Sequence, residues 1–252
     1  MPELAELRLF ADYVNVSVKN KVFNTLRKTT NSKQPNLTSP FSTYTITAGS
    51  RGKELKLTLS NGGDVKTLVF GFGMTGHFVF TKTGKEEKFS HLMFGTDDGC
   101  TLSFVDQRRF GRWKWGTWKI GRGPDPTTEH EAFVDKIYKN INKKAFDKPI
   151  YELLMNQDYC NGIGNYLRAE ILGRIDNCPF TPARDYIIKN PNVLELCKQV
   201  PLNYYHYKKR NEIPYNDNDP YLIYYKKETS LSIKDKSNRT FWYDAKWGPR
   251  LK

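Results

Sequence analysis

The hydrophobic period of this 252-residue chain turns from strand-like to helical across the segment Gly121-Arg122-Gly123-Pro124-Asp125-Pro126-Thr127-Thr128. That change requires two architectures on one chain. Upstream, Thr43–Ala48, Glu54–Leu59, Lys66–Phe72, Gly76–Thr81, His91–Thr96 and Thr101–Asp106 are short runs rich in β-branched and aromatic residues. Turn signals such as Asn61-Gly62-Gly63 and Asp97-Asp98-Gly99 separate them, a pattern that predicts strands. Ahead of them, Leu4, Leu7, Ala11, Val14 and Val18 fall on one helical face over residues 3–19, and the polar stretch 29–42, with two prolines, reads as a loop. One helix and six strands predict a small β-sandwich with the helix at its side.

Downstream the period is helical. Phe133, Val134, Ile137 and Ile141 predict a helix over 129–141, Pro149 suits the first position of a helix over 149–156, and further helices are predicted over Asn165–Arg174 and Pro191–Val200. The last fifty residues lose helical spacing, and Asn238–Tyr243 reads as a hairpin, a polar tip followed by β-favouring aromatics. The expected fold class is α+β.

The net charge of +13 favours a polyanionic partner, although membranes, ribosomal assembly and plain solubility use the same surplus. No apolar run reaches the length of about 18 residues that a membrane span needs. The acidic, amphipathic start is unlike a secretory or organellar leader. An intracellular protein is expected, in which the sequons at Asn15, Asn36 and Asn238 are chance matches. Cys100, Cys160, Cys178 and Cys197 contain no C-x-x-C pair, which argues against a zinc ribbon or a disulfide scaffold and for reduced core thiols.

Pro2 is a common residue after an initiator methionine. Once Met1 is removed its nitrogen is a secondary amine, with an α-amino pKa near 8 that a helix N-terminus lowers further. Such an amine attacking C1′ of a deoxyribose gives an iminium, an electron sink for β-elimination of the 3′-phosphate. Glu3 is placed to shuttle a proton, or simply to favour the helix dipole. Glu6, one turn on, either orients the amine or solubilises the helix. Lys53, in Arg51-Gly52-Lys53-Glu54, is either a solvated charge at a strand end or a phosphate clamp.

Met74, flanked by Gly73 and Gly76, is either core or a wedge that enters a base stack. Asp106-Gln107-Arg108-Arg109-Phe110-Gly111-Arg112-Trp113 interleaves cations with aromatics, as phosphate contact and base stacking require and as ordinary cation–π packing also does. In Asn161-Gly162-Ile163-Gly164-Asn165-Tyr166-Leu167-Arg168-Ala169-Glu170-Ile171-Leu172, glycines open a helix in the geometry that grips a phosphate through exposed backbone N–H groups. Asn165 is placed to cap that helix and to donate to a phosphate. Arg239, at the hairpin tip, suits a minor groove or a phosphate.

Together these motifs resemble the formamidopyrimidine-DNA glycosylase/endonuclease VIII family over nearly the whole chain. Within it the chain is most similar to the endonuclease VIII-like branch of animals and giant viruses. The resemblance implies Pro2 as nucleophile and Glu3 as general acid/base. It implies Lys53, Asn165 and Arg239 as a phosphate-binding set, with Met74, Arg108 and Phe110 filling the void left by an extruded base. It implies Asn156–Leu172 as a helix-two-turn-helix containing Gly162 and Gly164. The two C-x-x-C pairs that form a zinc finger in most relatives are missing, so a zincless finger without metal or cofactor is expected.

The implied domains are a catalytic sandwich over 1–120, a hinge over 121–128, the helix-two-turn-helix domain over 129–204, and a lesion-loop region and finger over 205–252. The lesion loop itself falls between about Tyr205 and Ser237. The implied function is excision of oxidised bases, mainly pyrimidines, from damaged DNA lying between the domains, with strand cleavage by β,δ-elimination. A monomer without membrane contact is expected, working in the nucleus or a viral replication compartment. Two alternatives stand beside it: a damage-binding protein without catalysis, and a nucleic-acid module sharing only the helix-two-turn-helix.

Overall fold

A computed structural model describes residues 2–30, 32–82, 84, 86–211 and 219–249. The chain divides into two compact units, one of residues 1–2 and 6–119, the other of residues 3–5 and 120–252.

The first unit holds most of α1 (Leu4–Ser17) and eight strands: β1 (Phe23–Lys28), β2 (Thr45–Arg51), β3 (Glu54–Asn61), β4 (Asp64–Gly71), β5 (His77–Thr81), β6 (Ser90–Thr96), β7 (Thr101–Val105) and β8 (Arg112–Trp115). They form two four-stranded sheets, ordered β1-β6-β7-β5 and β2-β3-β4-β8, with every pairing antiparallel. Leu55, Leu57 and Leu59 of β3 point into one core with Phe70, Phe78, Phe94, Phe104 and Trp113, and Leu7, Ala11 and Val14 of α1, with Val18 just past its end, pack against it. The predicted sandwich with a leading helix is present.

Two strands escaped the sequence pattern, β1 and β8. Each is an edge strand, and each buries few side chains: Phe23 alone is fully covered in Phe-Asn-Thr-Leu-Arg-Lys, and Trp113 alone in Arg-Trp-Lys-Trp. A one-sided strand of four to six residues carries too few apolar positions to show an alternation.

The second unit contains α2 (His130–Asn140), a 3-10 turn at Lys144–Asp147, α3 (Ile150–Leu153), α4 (Asn165–Gly173), α5 (Ala183–Lys189) and α6 (Asn192–Asn211), then the hairpin of β9 (Ser230–Lys234) and β10 (Thr240–Asp244). Three expectations need correction. The helix predicted over 149–156 is a single turn, with Pro149 as its N-cap rather than its first residue. Helix α5 was not anticipated. Helix α6 does not end at Val200 but runs through Pro201 to Asn211.

A proline inside a helix removes one hydrogen bond and crowds the preceding turn. Here the stripe Val193, Leu194, Cys197, Val200, Tyr204 and Tyr205, each at most 5 % exposed, continues across it, and burial of that stripe offsets the loss. The lesion-loop expectation between Tyr205 and Ser237 includes residues 212–218, which lie outside the described residues.

Helix α4 is covered on all sides. Every residue from Tyr166 to Leu172 is buried, including Arg168 and Glu170. It is the element around which the second unit's candidate site is organised.

Candidate functional site

In the first unit the glycine-flanked turn and the cation–aromatic loop are gathered by one residue, Asp106, which is fully buried. Its Oδ2 accepts the Gly111 N–H at 2.6 Å, and its Oδ1 accepts the Arg108 N–H at 3.2 Å and the Thr75 hydroxyl. The Arg108 N–H also reaches Thr75 Oγ1 at 3.2 Å. His91 Nε2 donates to the Asp106 carbonyl at 2.8 Å.

Gly73 completes the fit. At φ 59°, a conformation open to glycine, it lies so close to the other loop that an added Cβ would stand 2.7 Å from Phe110 Cβ. Met74 (41 %) and Phe110 (55 %) remain exposed, and the Arg108 guanidinium lies over the Phe110 ring at 5.2 Å. Thus Met74 is not core, and the three residues expected to act together stand on two loops tied by Asp106.

Lys53 occupies the two-residue turn Gly52-Lys53 joining β2 to β3, where Arg51 pairs with Glu54. Gly52 has φ 57°, the left-handed conformation that a tight hairpin needs at its first turn residue. Lys53 is half-buried and Pro2 is buried.

In the second unit Glu3, 2 % exposed, is fixed by the start of α4. Its Oε2 accepts the N–H groups of Gly164 (2.7 Å) and Leu167 (3.2 Å), and its Oε1 accepts that of Tyr166 (3.0 Å). The Leu4 N–H donates to the Gly162 carbonyl at 3.2 Å. A carboxylate at a helix N-terminus meets both the unpaired donors and the positive end of the dipole.

The expectation that Gly162 and Gly164 offer exposed N–H groups to a phosphate is therefore corrected. Both glycines are buried. The Gly164 N–H is held by Glu3, and the Gly162 N–H is held by Gln157 Oε1 at 3.0 Å. Gln157 also donates to the Ile163 carbonyl at 2.8 Å, so it shapes the turn in which Gly162 adopts φ 106°.

Asn165 is likewise not the cap. Gly164 is the N-cap residue, and the Asn165 amide instead donates to the Thr240 carbonyl at 2.7 Å and accepts from Arg168 Nη2 at 2.6 Å. Thr240 follows Arg239, whose Nε donates to Asp235 Oδ2 at 2.9 Å. The same oxygen accepts Arg168 Nη1 at 3.0 Å. Oδ1 of Asp235 accepts the N–H groups of Ser237 (2.9 Å) and Arg239 (3.0 Å). Burial pushes the Asp235 carboxyl up, but the Arg239 N–H and the Arg168 guanidinium outweigh it and hold the group below the usual carboxylate range. Burial lowers Arg168, against the opposing pull of Asp235.

The hairpin is further held by aromatic packing. Phe241 stacks on Tyr151 with ring centroids 4.7 Å apart, Phe180 meets Tyr243 edge-on at 5.0 Å, and the Arg168 guanidinium lies 5.0 Å from the Phe241 ring centre. Among the described residues no group of three or more His, Cys, Asp or Glu is placed to hold a metal ion. Glu170 fixes the next segment: its Oε1 accepts the N–H groups of Ile223, Tyr224 and Tyr225 at 2.8–3.0 Å, and its Oε2 pairs with Arg174 at 2.8 Å.

Sequence reasoning thus missed Asp106, Gln157, Arg168, Glu170 and Asp235. For Arg168 and Glu170 a signal existed. They are the only charges in the run Tyr166–Leu172, and a helix without a polar face is buried, so its charges must be paired.

Comparison with known proteins follows the same lines. Residues 1–113 match the family described as the formamidopyrimidine-DNA glycosylase N-terminal domain. Endonuclease 8-like 1 of Mus musculus is 36 % identical over 287 residues, covering 99 % of this chain and 74 % of that protein. Its Homo sapiens counterpart is 35 % identical with the same coverage. Among solved structures, MutM (Fpg) of Thermus thermophilus shares the fold with a TM-score of 0.78 at 21 % identity, over 98 % of this chain and 100 % of the other. Lactococcus lactis Fpg, in complex with DNA containing an oxidised pyrimidine, gives 0.77 at 20 % identity over 99 % and 100 %. No helix among the described residues is long and apolar enough to cross a membrane.

Proposed function

The chain belongs to the formamidopyrimidine-DNA glycosylase/endonuclease VIII family, whose members are bifunctional DNA glycosylase/AP lyases of base excision repair, and on that premise we propose how its own residues carry out the reaction. The enzyme removes oxidised bases, mainly pyrimidines together with ring-fragmented and hydantoin products, from damaged DNA. The observation that carries the reading is Glu3: the residue next to the candidate nucleophile is locked by three backbone N–H groups at the head of α4.

In this reading the neutral Pro2 nitrogen attacks C1′ and the glycosidic bond breaks, the base leaving with its electron pair and a proton. Glu3 serves as the proton carrier for the opening sugar ring. The resulting iminium acidifies C2′; loss of that proton expels the 3′-phosphate, and a second elimination expels the 5′-phosphate. A one-nucleotide gap with phosphate ends remains. Lys53, Asn165 and Arg239 bind phosphates around the extruded nucleotide. Met74, Arg108 and Phe110 fill the space it leaves, a role that their exposure on two tied loops supports. Residues 1–120 serve as the catalytic sandwich and 205–252 as the lesion-loop region and finger. The place of work is the nucleus, or a viral replication compartment, where the damaged DNA lies.

The test is borohydride trapping of protein processed to Pro2, on a duplex with one oxidised pyrimidine. A covalent adduct is expected, absent when Met1 is retained and reduced in Pro2→Gly while lesion binding persists. Tight lesion binding with no adduct in the processed protein would replace this reading with that of a damage-binding protein.

A further inference from the structure

Five residues of the second unit close a hydrogen-bonded ring. Arg168 bonds Asp235, Asp235 bonds Arg239, Thr240 follows in the chain, its carbonyl accepts from Asn165, and Asn165 accepts from Arg168. Two members, Asn165 and Arg239, are those read above as phosphate binders. Arg168 touches the first directly and the second through Asp235.

The ring is costly. The Arg168 side chain is fully buried, Asp235 is 1 % exposed, and Arg168 Nε is buried without a hydrogen-bond partner. A buried ion pair of this kind is weak evidence for stability, because apolar replacements often do as well. Its arrangement makes better sense as control of charge. One carboxylate oxygen is shared by two guanidinium groups, so the single negative charge of Asp235 is divided, and Arg239, whose side chain is 40 % exposed, keeps a surplus of positive charge toward solvent. Without Arg168, Asp235 would have only Arg239 as a cationic partner in this ring and would neutralise it.

We propose that Arg168 is a positioning residue for phosphate binding: it shares Asp235 so that Arg239 stays cationic toward DNA, and it fixes the Asn165 amide with its NH2 group toward Thr240. The proposal rests on the reading of Asn165 and Arg239 as phosphate contacts, so the experiment carries a separate control for that reading.

Binding to a duplex carrying a tetrahydrofuran abasic analogue, which has no base to release, is measured across a salt series for wild type, Arg168→Gln, Arg168→Gln/Asp235→Asn, Arg168→Lys and Arg239→Ala. Loss of one phosphate contact lowers the slope of log K against log salt by about one. Arg239→Ala should show that loss. Arg168→Gln should bind roughly 10-fold more weakly at low salt with a slope reduced by nearly as much. The double variant, which lacks the neutralising carboxylate, should regain the wild-type slope, and Arg168→Lys should keep it.

An unchanged slope in Arg168→Gln beside a reduced one in Arg239→Ala makes Arg168 merely structural and overturns the proposal. A double variant that stays at the reduced slope also overturns it. If Arg239→Ala leaves the slope unmoved, the phosphate reading of Arg239 fails first, and the proposal with it. Should Arg168→Gln not melt cooperatively, the double variant and Arg168→Lys decide alone, because the proposal requires both to hold the wild-type slope.

Discussion

Asp106 in the first unit and Asp235 in the second are both buried carboxylates that gather residues read here as DNA contacts, yet they do so by different physics. Asp106 is satisfied by neutral donors, two backbone N–H groups and a hydroxyl. The loops it ties also meet by shape, Gly73 against Phe110. Asp235 takes two backbone N–H groups and two guanidinium groups. The first arrangement fixes where side chains stand. The second also sets how much charge one of them shows. A defect in the first should therefore be insensitive to salt, and a defect in the second should be read through salt and pH.

The largest effect is expected at Asp106. Replacement by Ala leaves the Gly111 N–H without its acceptor and the Arg108 N–H with Thr75 Oγ1 alone, and should cost roughly 3 kcal/mol of stability. DNA affinity should fall evenly at all salt concentrations; a reduced salt slope would erase the contrast with Asp235. Gly73→Ala comes next, at about 2 kcal/mol, because the new Cβ meets Phe110 backbone as well as side chain and φ 59° is strained for alanine. Denaturant melts measure both.

A smaller effect follows from the depressed Asp235 carboxyl. Its folded value lies below the unfolded one, so its contribution is complete above the unfolded value of about 3.9 and is lost as pH falls through the folded value. The difference in stability between wild type and Asp235→Asn should stay level from neutral pH down to about pH 5 and shrink below about pH 4. A difference that grows on acidification would contradict the sign of the shift.

The smallest effect is chemical, with no change in stability before modification. Burial pushes the Cys160 thiol up to about 12 and raises Cys197 well above its ordinary value. Cys178, the one cysteine not buried, should be alkylated first in the native protein, as peptide mapping would reveal.

What the sequence made legible was local. The six predicted strands and the Met74 and Arg108–Phe110 loops each lie within a dozen residues, and each stands where its pattern placed it. The parts that were not legible span the chain. Glu3 meets Gly164 across 161 residues, and Arg168 meets Asp235 across 67. In sequence, the apolar surroundings of Arg168 and Glu170 say that they must be paired, but not with what: their partners Asp235 and the N–H groups of Ile223–Tyr225 lie more than fifty residues away. Helix α6 erred in the opposite direction, running past its expected end at Val200 because the local cost of Pro201 was weaker than the apolar stripe running past it. Even Asp106, quoted within a motif, gave no sign that one of its partners would be Thr75 on another loop.

The place of Glu3 has a consequence for timing. The bonds described for this turn are made by the Glu3 and Gln157 side chains and the Leu4 N–H, and none of these uses the nitrogen of Pro2. The turn into α4 can therefore be complete while that nitrogen is still an amide, and under the proposed mechanism such a chain is folded but cannot form the iminium. On the reading proposed for Pro2, folding and arming are separate events: a single hydrolytic cut ahead of Pro2 would free its amine next to a carboxylate that is already fixed in place.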